Sequence, residues 1–328
     1  MKISVALCTY NGSRYLHSQL ESIAAQSRLP DELVICDDAS TDKTVEIISG
    51  FSQRVPFPVR LQVNPVNLGS TANFQQAILM CTGDIVVLSD QDDIWLPSKL
   101  SLMEQAFDKD EAVGAVFSDA TLVDENLQPW GRTMWEHVGF TSGSQEKWTR
   151  GQRLDVLLKH VVVTGATLAF RSRYRELLLP IPTKWIHDAW TALLISACAK
   201  VELIREPQIL YRQHMQNQIG ARRAHLFARI TEALNLNRAN YYGDEIARYS
   251  CAKQRLAQFP EVISPQSLSQ LDAKLGHLRY RASLPKWRLL RLPFILVELL
   301  KLGYCKYSFG WQVAIKDLLI PSSASNAS

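Results

Sequence analysis

The sequence predicts an α/β fold: a mostly parallel sheet with flanking helices over residues 1–220, followed by a helical region over 221–328. Three observations carry this. Short β-rich runs alternate with helical patterns through the first third of the chain, as in βαβ units. The run Ile85-Val86-Val87-Leu88 is aliphatic without alternation, which suits a strand covered on both faces. From about Ala221 the pattern becomes almost wholly helical.

Taken in order, Lys2 to Thr9 reads as a strand, and Asn11-Gly12 breaks it before a helix from about Ser13 to Gln26. Pro30-Asp31 turns into a second strand, Glu32 to Cys36, which ends in Asp37-Asp38. Ser40 suits an N-cap, with Asp42 in the first turn of the next helix. A third strand covers Val59 to Val63, Asn67-Leu68-Gly69 turns, and Thr71 to Met80 is helical. The strand ending at Ser89 comes next, then a fifth from Val113 to Phe117. Residues 130–153 carry Gly131, Gly139, Gly143 and Gly151 among three tryptophans and read as a long irregular loop. Val161 to Phe170 is apolar but interrupted at Thr164-Gly165, where a missing side chain lets backbone approach a ligand or marks a bulge. Trp185 to about Ala199 opens with His187-Asp188 and continues as an apolar helix, and Ile209 to His214 is a further strand with a basic end.

A chain of 328 residues can bury a substantial core. Its six cysteines are scattered, without a CxxC pair and with mostly apolar neighbours. That favours buried thiols in a reducing compartment over disulfides or zinc. The apolar start turns polar at Thr9, too soon for a signal peptide, and no window approaches a membrane span. A net charge of +4 does not by itself point to nucleic acid. These features place the protein in the cytoplasm.

Polar and acidic clusters fall at three strand exits: Thr9-Tyr10-Asn11, Asp37-Asp38 and Asp90 to Asp93. Ligands of open α/β sheets collect at the carboxyl ends of strands, so this placement favours one shared crevice. Three acids within Asp90-Gln91-Asp92-Asp93 repel one another and call for a cation. A hard divalent metal such as Mg²⁺ or Mn²⁺, bridging carboxylates to phosphates, meets that need. A solvated acidic turn is the plain alternative.

The ordered set Val5-Ala6-Leu7-Cys8-Thr9-Tyr10-Asn11-Gly12, Ile35 to Asp42, Asn67-Leu68-Gly69 with Asn73, and Leu88-Ser89-Asp90-Gln91-Asp92-Asp93-Ile94-Trp95 resembles the inverting family-2 glycosyltransferases of GT-A fold. The Ser-Asp-Gln-Asp-Asp-Ile-Trp form looks most like their bacterial rhamnosyltransferase branch. With His187-Asp188 and Tyr211-Arg212-Gln213-His214, the resemblance covers about the first two-thirds of the chain. It implies that Thr9, Tyr10 and Asn11 line the base and ribose of a nucleoside-diphosphate sugar (dTDP- or UDP-linked), with Asp37 or Asp38 bonding the base. Asn67, Gly69, Asn73, Gln91 and Arg212 fall on the same side of the site. Asp90 and Asp92 occupy the DxD positions, with Asp92 the main ligand of a divalent metal, Asp90 a ribose or metal-shell contact and His214 a further metal or diphosphate contact. Asp188 matches the catalytic base. Trp95, Thr164, Gly165 and His187 fall on the acceptor side, although a packed indole is the commoner fate of a tryptophan.

The function expected is inverting transfer of a sugar to a lipid-linked glycan or polysaccharide intermediate in cell-surface polysaccharide biosynthesis. A nucleotidyltransferase would want a Gly-rich basic phosphate loop, for which Asn11-Gly12-Ser13-Arg14 is a poor substitute. An inactive binding or scaffold module would not need Asp188. Beyond the resemblance, Lys274, Arg279, Arg281, Lys286, Arg288, Arg291, Lys301, Lys306 and Lys316 face only Asp272, Glu298 and Asp317 and are interleaved with aromatics. That composition suits peripheral docking on an anionic membrane, centred on residues 286–319, with a solvated helical face as the alternative.

Overall fold

The structure, a computed structural model, describes residues 1–214 and 238–321. The described residues fall into two units, one of 1–151 with 162–214 and one of 152–161 with 238–321. The reading from sequence placed 152–161 in the first unit.

The first unit is built on a nine-stranded sheet. Its strands β1 (Ile3–Thr9), β2 (Glu32–Asp37), β3 (Val59–Val63) and β4 (Ile85–Ser89) are parallel and lie in the order β3-β2-β1-β4. Every residue of β1 and β4 is buried, which is why both read as unalternating apolar runs. Parallel pairing puts their carboxyl ends on one edge, and the register sets Thr9 opposite Asp37 and Leu7 opposite Ser89.

Past β4 the sheet is mixed, through β5 (Ile94–Trp95), β6 (Val113–Val123), β7 (Pro129–Thr133), β8 (Leu168–Arg171) and β9 (Lys200–Arg212). The order continues β8-β6-β9-β5, with β7 on β6. β8 is antiparallel to β4 and β6, β5 is antiparallel to β9, and β6 and β9 are parallel. The short β5 pairs Ile94 with Leu210, and so brings the chain just after the acids against the end of β9.

Residues 130–153 are not an irregular loop. They form β7 and the helices Met134–Val138 and Ser142–Thr149. Trp135, Phe140 and Trp148 pack edge-on or tilted around Phe117 of β6, at centroid distances of 5.5, 6.0 and 5.1 Å. Gly139, at φ 75°, is the left-handed C-cap that ends the first helix, so this glycine punctuates structure.

The second unit contains the helices Arg153–Leu157, Arg238–Ala257, Pro265–Ala282, Leu292–Leu300, Gly303–Tyr307 and Trp311–Leu319. Its centre is polar. Buried Asp317 accepts hydrogen bonds from Arg281 Nε at 2.6 Å, from Tyr304 Oη at 2.7 Å and from Tyr242 Oη. Three of the cations assigned to a basic surface are therefore interior, a correction to the composition argument. Lys274 Nζ donates to the Tyr307 carbonyl at 2.8 Å, Arg281 pairs with Asp317, and Arg291, 0% exposed, donates to the Asp317 and Ile320 carbonyls. The burial of Lys274 and Arg291 serves helix ends, which leave carbonyls without intrahelical donors.

Among the described residues no helix is long and apolar enough to cross a membrane. All six cysteines are free. Cys8, Cys36 and Cys81 are buried as expected, whereas Cys305 is exposed.

Candidate functional site

The exit of β1 is a hydrogen-bonded cradle. Thr9 Oγ1 donates to Asp37 Oδ2 at 2.7 Å, and Asp37 also accepts from the Ser40 amide at 2.8 Å and from the Ser40 hydroxyl at 2.5 Å. Gln91 clasps Tyr10 from the acid loop, accepting from its amide at 2.8 Å and donating to its carbonyl at 3.0 Å. A Cβ at Gly12 would run into that Gln91 amide, so a larger residue there would displace the Gln91 clasp. Asn11, at φ 47°, adopts the left-handed backbone that asparagine tolerates, and its side-chain oxygen accepts from the Thr41 amide at 2.9 Å. The Tyr10 ring is exposed and projects from a fixed backbone.

Asp38, Asn67, Gly69 and Asn73 form a frame beneath this cradle. Asp38 is buried and accepts from Asn64 Nδ2 at 2.9 Å, from the Leu68 amide at 2.8 Å and from the Gly69 amide at 2.9 Å. Asn67 Oδ1 accepts from the same Gly69 amide at 3.1 Å. Asn73 is buried and joins Asn64 at 2.9 Å to the Cys36 carbonyl at 2.8 Å. Asp38 and Asn73 thus point at protein donors and acceptors and hold the turn that presents Gly69, which is at φ 82°.

The acid loop is pinned from β9. Arg212 is buried; its amide donates to Asp93 Oδ1 at 3.1 Å, its Nε to the Asp92 carbonyl at 2.8 Å, and its guanidinium to the Glu125 carbonyl at 2.6 Å. In these contacts the guanidinium serves backbone carbonyls of the acid loop and of Glu125. Replacing Arg212 with Met strips these carbonyls of their donor and should cost about 3 kcal/mol, read as a lowered denaturation midpoint. An unchanged midpoint would mean that the loop holds itself.

Trp95 is 2% exposed and offers no face to an acceptor, which corrects its assignment. Its indole N–H donates to the Gln19 side-chain oxygen at 3.1 Å, and Lys99 Nζ lies 3.4 Å from the ring centroid. Lys99 is fully buried and donates to the Ala166 carbonyl at 2.7 Å, which ties the acid loop to the Thr164-Gly165 turn. Burial holds its ammonium well below the usual range, against the opposing pull of Asp93 and Asp90.

Asp92 Oδ2 lies 2.8 Å from His214 Nε2, and the imidazole rests against Tyr15 at 4.9 Å between ring centroids. Asp90, Asp92 and His214 are the residues expected at a metal; Asp92 meets His214 directly, and Asp92 also acts electrostatically on Asp90. Among the described residues no group of three or more His, Cys, Asp or Glu side chains is assembled to hold one. Burial, then Asp92 and then Asp188 push the Asp90 carboxyl up to about 7. Burial first, and then Asp92 and Asp90, push Asp93 well above the carboxylate range, and its Oδ2 has no hydrogen-bond partner. Such a carboxylate set fits a hard divalent cation, which commonly takes one or two protein carboxylates and completes its shell from phosphates and water.

Asp188 opens the helix His187–Cys198, where the macrodipole favours its charge. Its Oδ2 accepts from the Gly165 amide at 3.0 Å and its Oδ1 from the Ala189 amide at 2.6 Å. His187 is buried and stacks on Phe74 at 3.9 Å, and neither ring nitrogen has a hydrogen-bond partner. A Cβ at Gly165 would stand 2.7 Å from His187 Nε2, so the Thr164-Gly165 interruption is a close approach, continued by the 3-10 turn Gly165–Thr167.

Tyr211 brings the halves together. Burial raises its phenol well above the usual range, and Asp90, Asp93, Asp92 and Asp188 then each push the same way. Acids from the loop after β4 and from the start of a helix about a hundred residues later therefore act on one group. Reading the sequence missed both Tyr211 and Lys99 as site residues. For Lys99 a signal existed: it lies on the stripe Lys99, Met103, Phe107 that faces the core of its helix. Tyr211 lay inside the motif Tyr211-Arg212-Gln213-His214, which was read for its arginine and histidine alone.

Residues 4–178 match the family described as Glycosyl transferase family 2. An uncharacterized glycosyltransferase of Nostoc sp. is 29% identical over 66% of this chain and 66% of its own length, so the shared stretch spans just under two thirds of that relative. The dTDP-rhamnosyl transferase RfbG of Shigella flexneri is 25% identical over 75% of this chain and 84% of its own. Among solved structures, the mannosyltransferase PcManGT of Pyrobaculum calidifontis, in complex with GDP-Man and Mn²⁺, superposes with a TM-score of 0.52 at 17% identity. That superposition covers 97% of this chain and 85% of the other. The likeness is one of GT-A fold.

Proposed function

The chain belongs to glycosyl transferase family 2, and from that membership we propose that it transfers a sugar, with inversion, from a nucleoside diphosphate to a glycan acceptor. The observation that carries this reading is the bridge between the acids and the base: Lys99, in the helix that follows the acid loop, donates to the Ala166 carbonyl, and the adjoining Gly165 amide donates to Asp188. A leaving diphosphate and an acceptor hydroxyl need those two kinds of carboxylate on opposite sides of one sugar.

In this reading Thr9, Tyr10 and Asn11 receive the base and ribose, on a backbone fixed by Gln91 and Ser40. Asp37 is the base-side carboxylate, and Asp38 acts through the turn it holds. Asp92, with His214 and Asp90 beside it, would hold Mg²⁺ or Mn²⁺, which supplies Lewis acidity to the departing diphosphate. Asp188 removes the proton of the acceptor hydroxyl as its oxygen attacks the anomeric carbon. The two backbone amides on Asp188 hold the carboxylate in place for that step. One displacement inverts the centre, and no enzyme nucleophile is required.

The donor we favour is dTDP- or UDP-linked, with rhamnose as the sugar on the strength of the motif resemblance and of the dTDP-rhamnosyl transferase relative. The acceptor we favour is a lipid-linked intermediate of a cell-surface polysaccharide, reached from the cytoplasmic face of an anionic membrane.

A panel of dTDP-, UDP- and GDP-sugars, scored for hydrolysis with Mn²⁺ or Mg²⁺ and after chelation, tests class and donor together. One nucleotide should stand out, and chelation should lower its turnover by roughly a hundredfold or more, reversibly. Turnover indifferent to chelation would remove the metal from the reading, and a chain that bound no sugar nucleotide would remove the reading itself.

A further inference from the structure

The helix Leu292–Leu300 is apolar on both sides: Ile295 and Leu299 pack inward with Leu284, Tyr304 and Ala314, and a second set of apolar residues is left facing out. Its acid, Glu298, faces inward and lies 2.6 Å from His277 Nδ1, and Arg291 just before it is fully buried. Its apolar residues Leu292, Leu296 and Leu300, spaced four apart on one face, point outward. Leu300 is 82% exposed, and in the turn that precedes the helix Leu289 is 80% and Trp287 78% exposed. The water-facing side of a helix carries polar residues instead. So many large apolar side chains left exposed over a short stretch mark an interaction surface.

The charge around this face selects the partner. From residue 286 to residue 316 the one acidic side chain is Glu298, and it is buried, while Lys286, Arg288, Lys301 and Lys306 are exposed. An apolar face whose own segment exposes cations and no acid matches the acyl boundary and headgroups of an anionic bilayer. A protein partner would have to be both greasy and acidic to match it.

We infer that this face, led by Trp287, Leu289 and Leu300, inserts into the interfacial layer of an anionic membrane. The bordering cations attract the surface from solution, and the apolar side chains hold once the face has entered. This deepens the assignment of a lipid-linked acceptor and rests on it for purpose, although the contact itself does not depend on catalysis.

The test is co-sedimentation of the full chain with vesicles of phosphatidylcholine and phosphatidylglycerol, at low salt and at about 1 M salt, where screening acts within ~3 Å. Donor hydrolysis in solution is measured alongside. The parent should bind at low salt and keep a measurable bound fraction at high salt, with its tryptophan emission moved to the blue. The variant Leu289→Ser/Leu296→Ser/Leu300→Ser, altered only at exposed positions, should lose about a hundredfold in partition coefficient. Its thermal midpoint and donor hydrolysis should stay at the parental level. A second variant, Arg288→Gln/Lys301→Gln/Lys306→Gln, should weaken binding at low salt alone.

Parental binding by the leucine variant would overturn the inference, as would complete release of the parent by salt. A parent that ignores vesicles but is dimeric, and becomes monomeric in the leucine variant, would assign the face to a second copy. Shielding of Trp287 from a soluble quencher in a monomer without vesicles would assign it to the chain itself. Vesicle binding without any donor hydrolysis would leave the membrane contact standing and refute the transferase reading.

Discussion

Asp188→Asn should bind the donor like the parent and transfer its sugar ~10²–10⁴-fold more slowly, the usual contribution of a positioned general base. The substitution keeps shape and changes one property. An asparagine oxygen still accepts from the Gly165 amide, as Asp188 Oδ2 does at 3.0 Å. What disappears is the capacity to take a proton. The turn at Gly165 and the helix start should therefore survive, and the loss should fall on transfer under saturating acceptor. Isothermal calorimetry for the nucleotide and single-turnover transfer measure the two sides separately. Equal transfer rates in parent and variant would move the base elsewhere. Asp90 would then be the next carboxylate to test, since Asp93 lies buried under the loop.

The second large effect is expected at Asp92. Asp92→Asn removes the carboxylate that meets His214 at 2.8 Å and should abolish metal-dependent donor binding, a loss of more than about a hundredfold. The fold should not suffer. After burial, Asp92 is the largest influence pushing Asp90 and Asp93 away from ionisation, so its removal relieves repulsion and should leave the metal-free melting temperature equal or higher.

The same electrostatics set a pH dependence in the parent. Asp90 is held at about 7 in the metal-free protein, and a cation favours its ionised form, so metal binding releases a proton. Affinity for Mn²⁺ should rise as pH is raised through 7 and flatten above it. Calorimetry in buffers of differing ionisation enthalpy reads the proton directly. A metal-sensitive donor affinity preserved in Asp92→Asn would place the cation elsewhere.

Much of the first unit was legible in the chain. Buried parallel strands leave unalternating apolar runs, and β1, β2 and β4 were found that way together with the acids at their exits. Other features were not legible, for distinct reasons. The segment 130–153 looked irregular because glycines that cap helices resemble glycines that fill loops. What organises the segment is aromatic packing on Phe117, a contact with no local trace in the sequence. The strand β9 was read only from Ile209, whereas it begins at Lys200 and follows β6 with register shifts that blur its alternation.

By itself the sequence located β1 to β4 and the start of β6 along the chain, and it determined the identity of the carboxylates and the fact that they gather at strand ends. Parallel strands must deliver their carboxyl ends to one edge. Tertiary structure alone decided which polar side chains face the crevice. The lone pairs of Asp38 are used by amides of Leu68 and Gly69, the guanidinium of Arg212 by carbonyls of Asp92 and Glu125, and the indole of Trp95 by Gln19 and Lys99. Apart from Lys99, which lies four residues beyond Trp95, each of these partners comes from another part of the chain, so no local pattern announces it. The helix Leu292–Leu300 follows the same logic. Its periodicity reveals two faces, but which one turns inward depends on His277 waiting inside for Glu298. Ile295 and Leu299 join Glu298 on the inner side, packed with Leu284, Tyr304 and Ala314, and the other leucines are left facing outward.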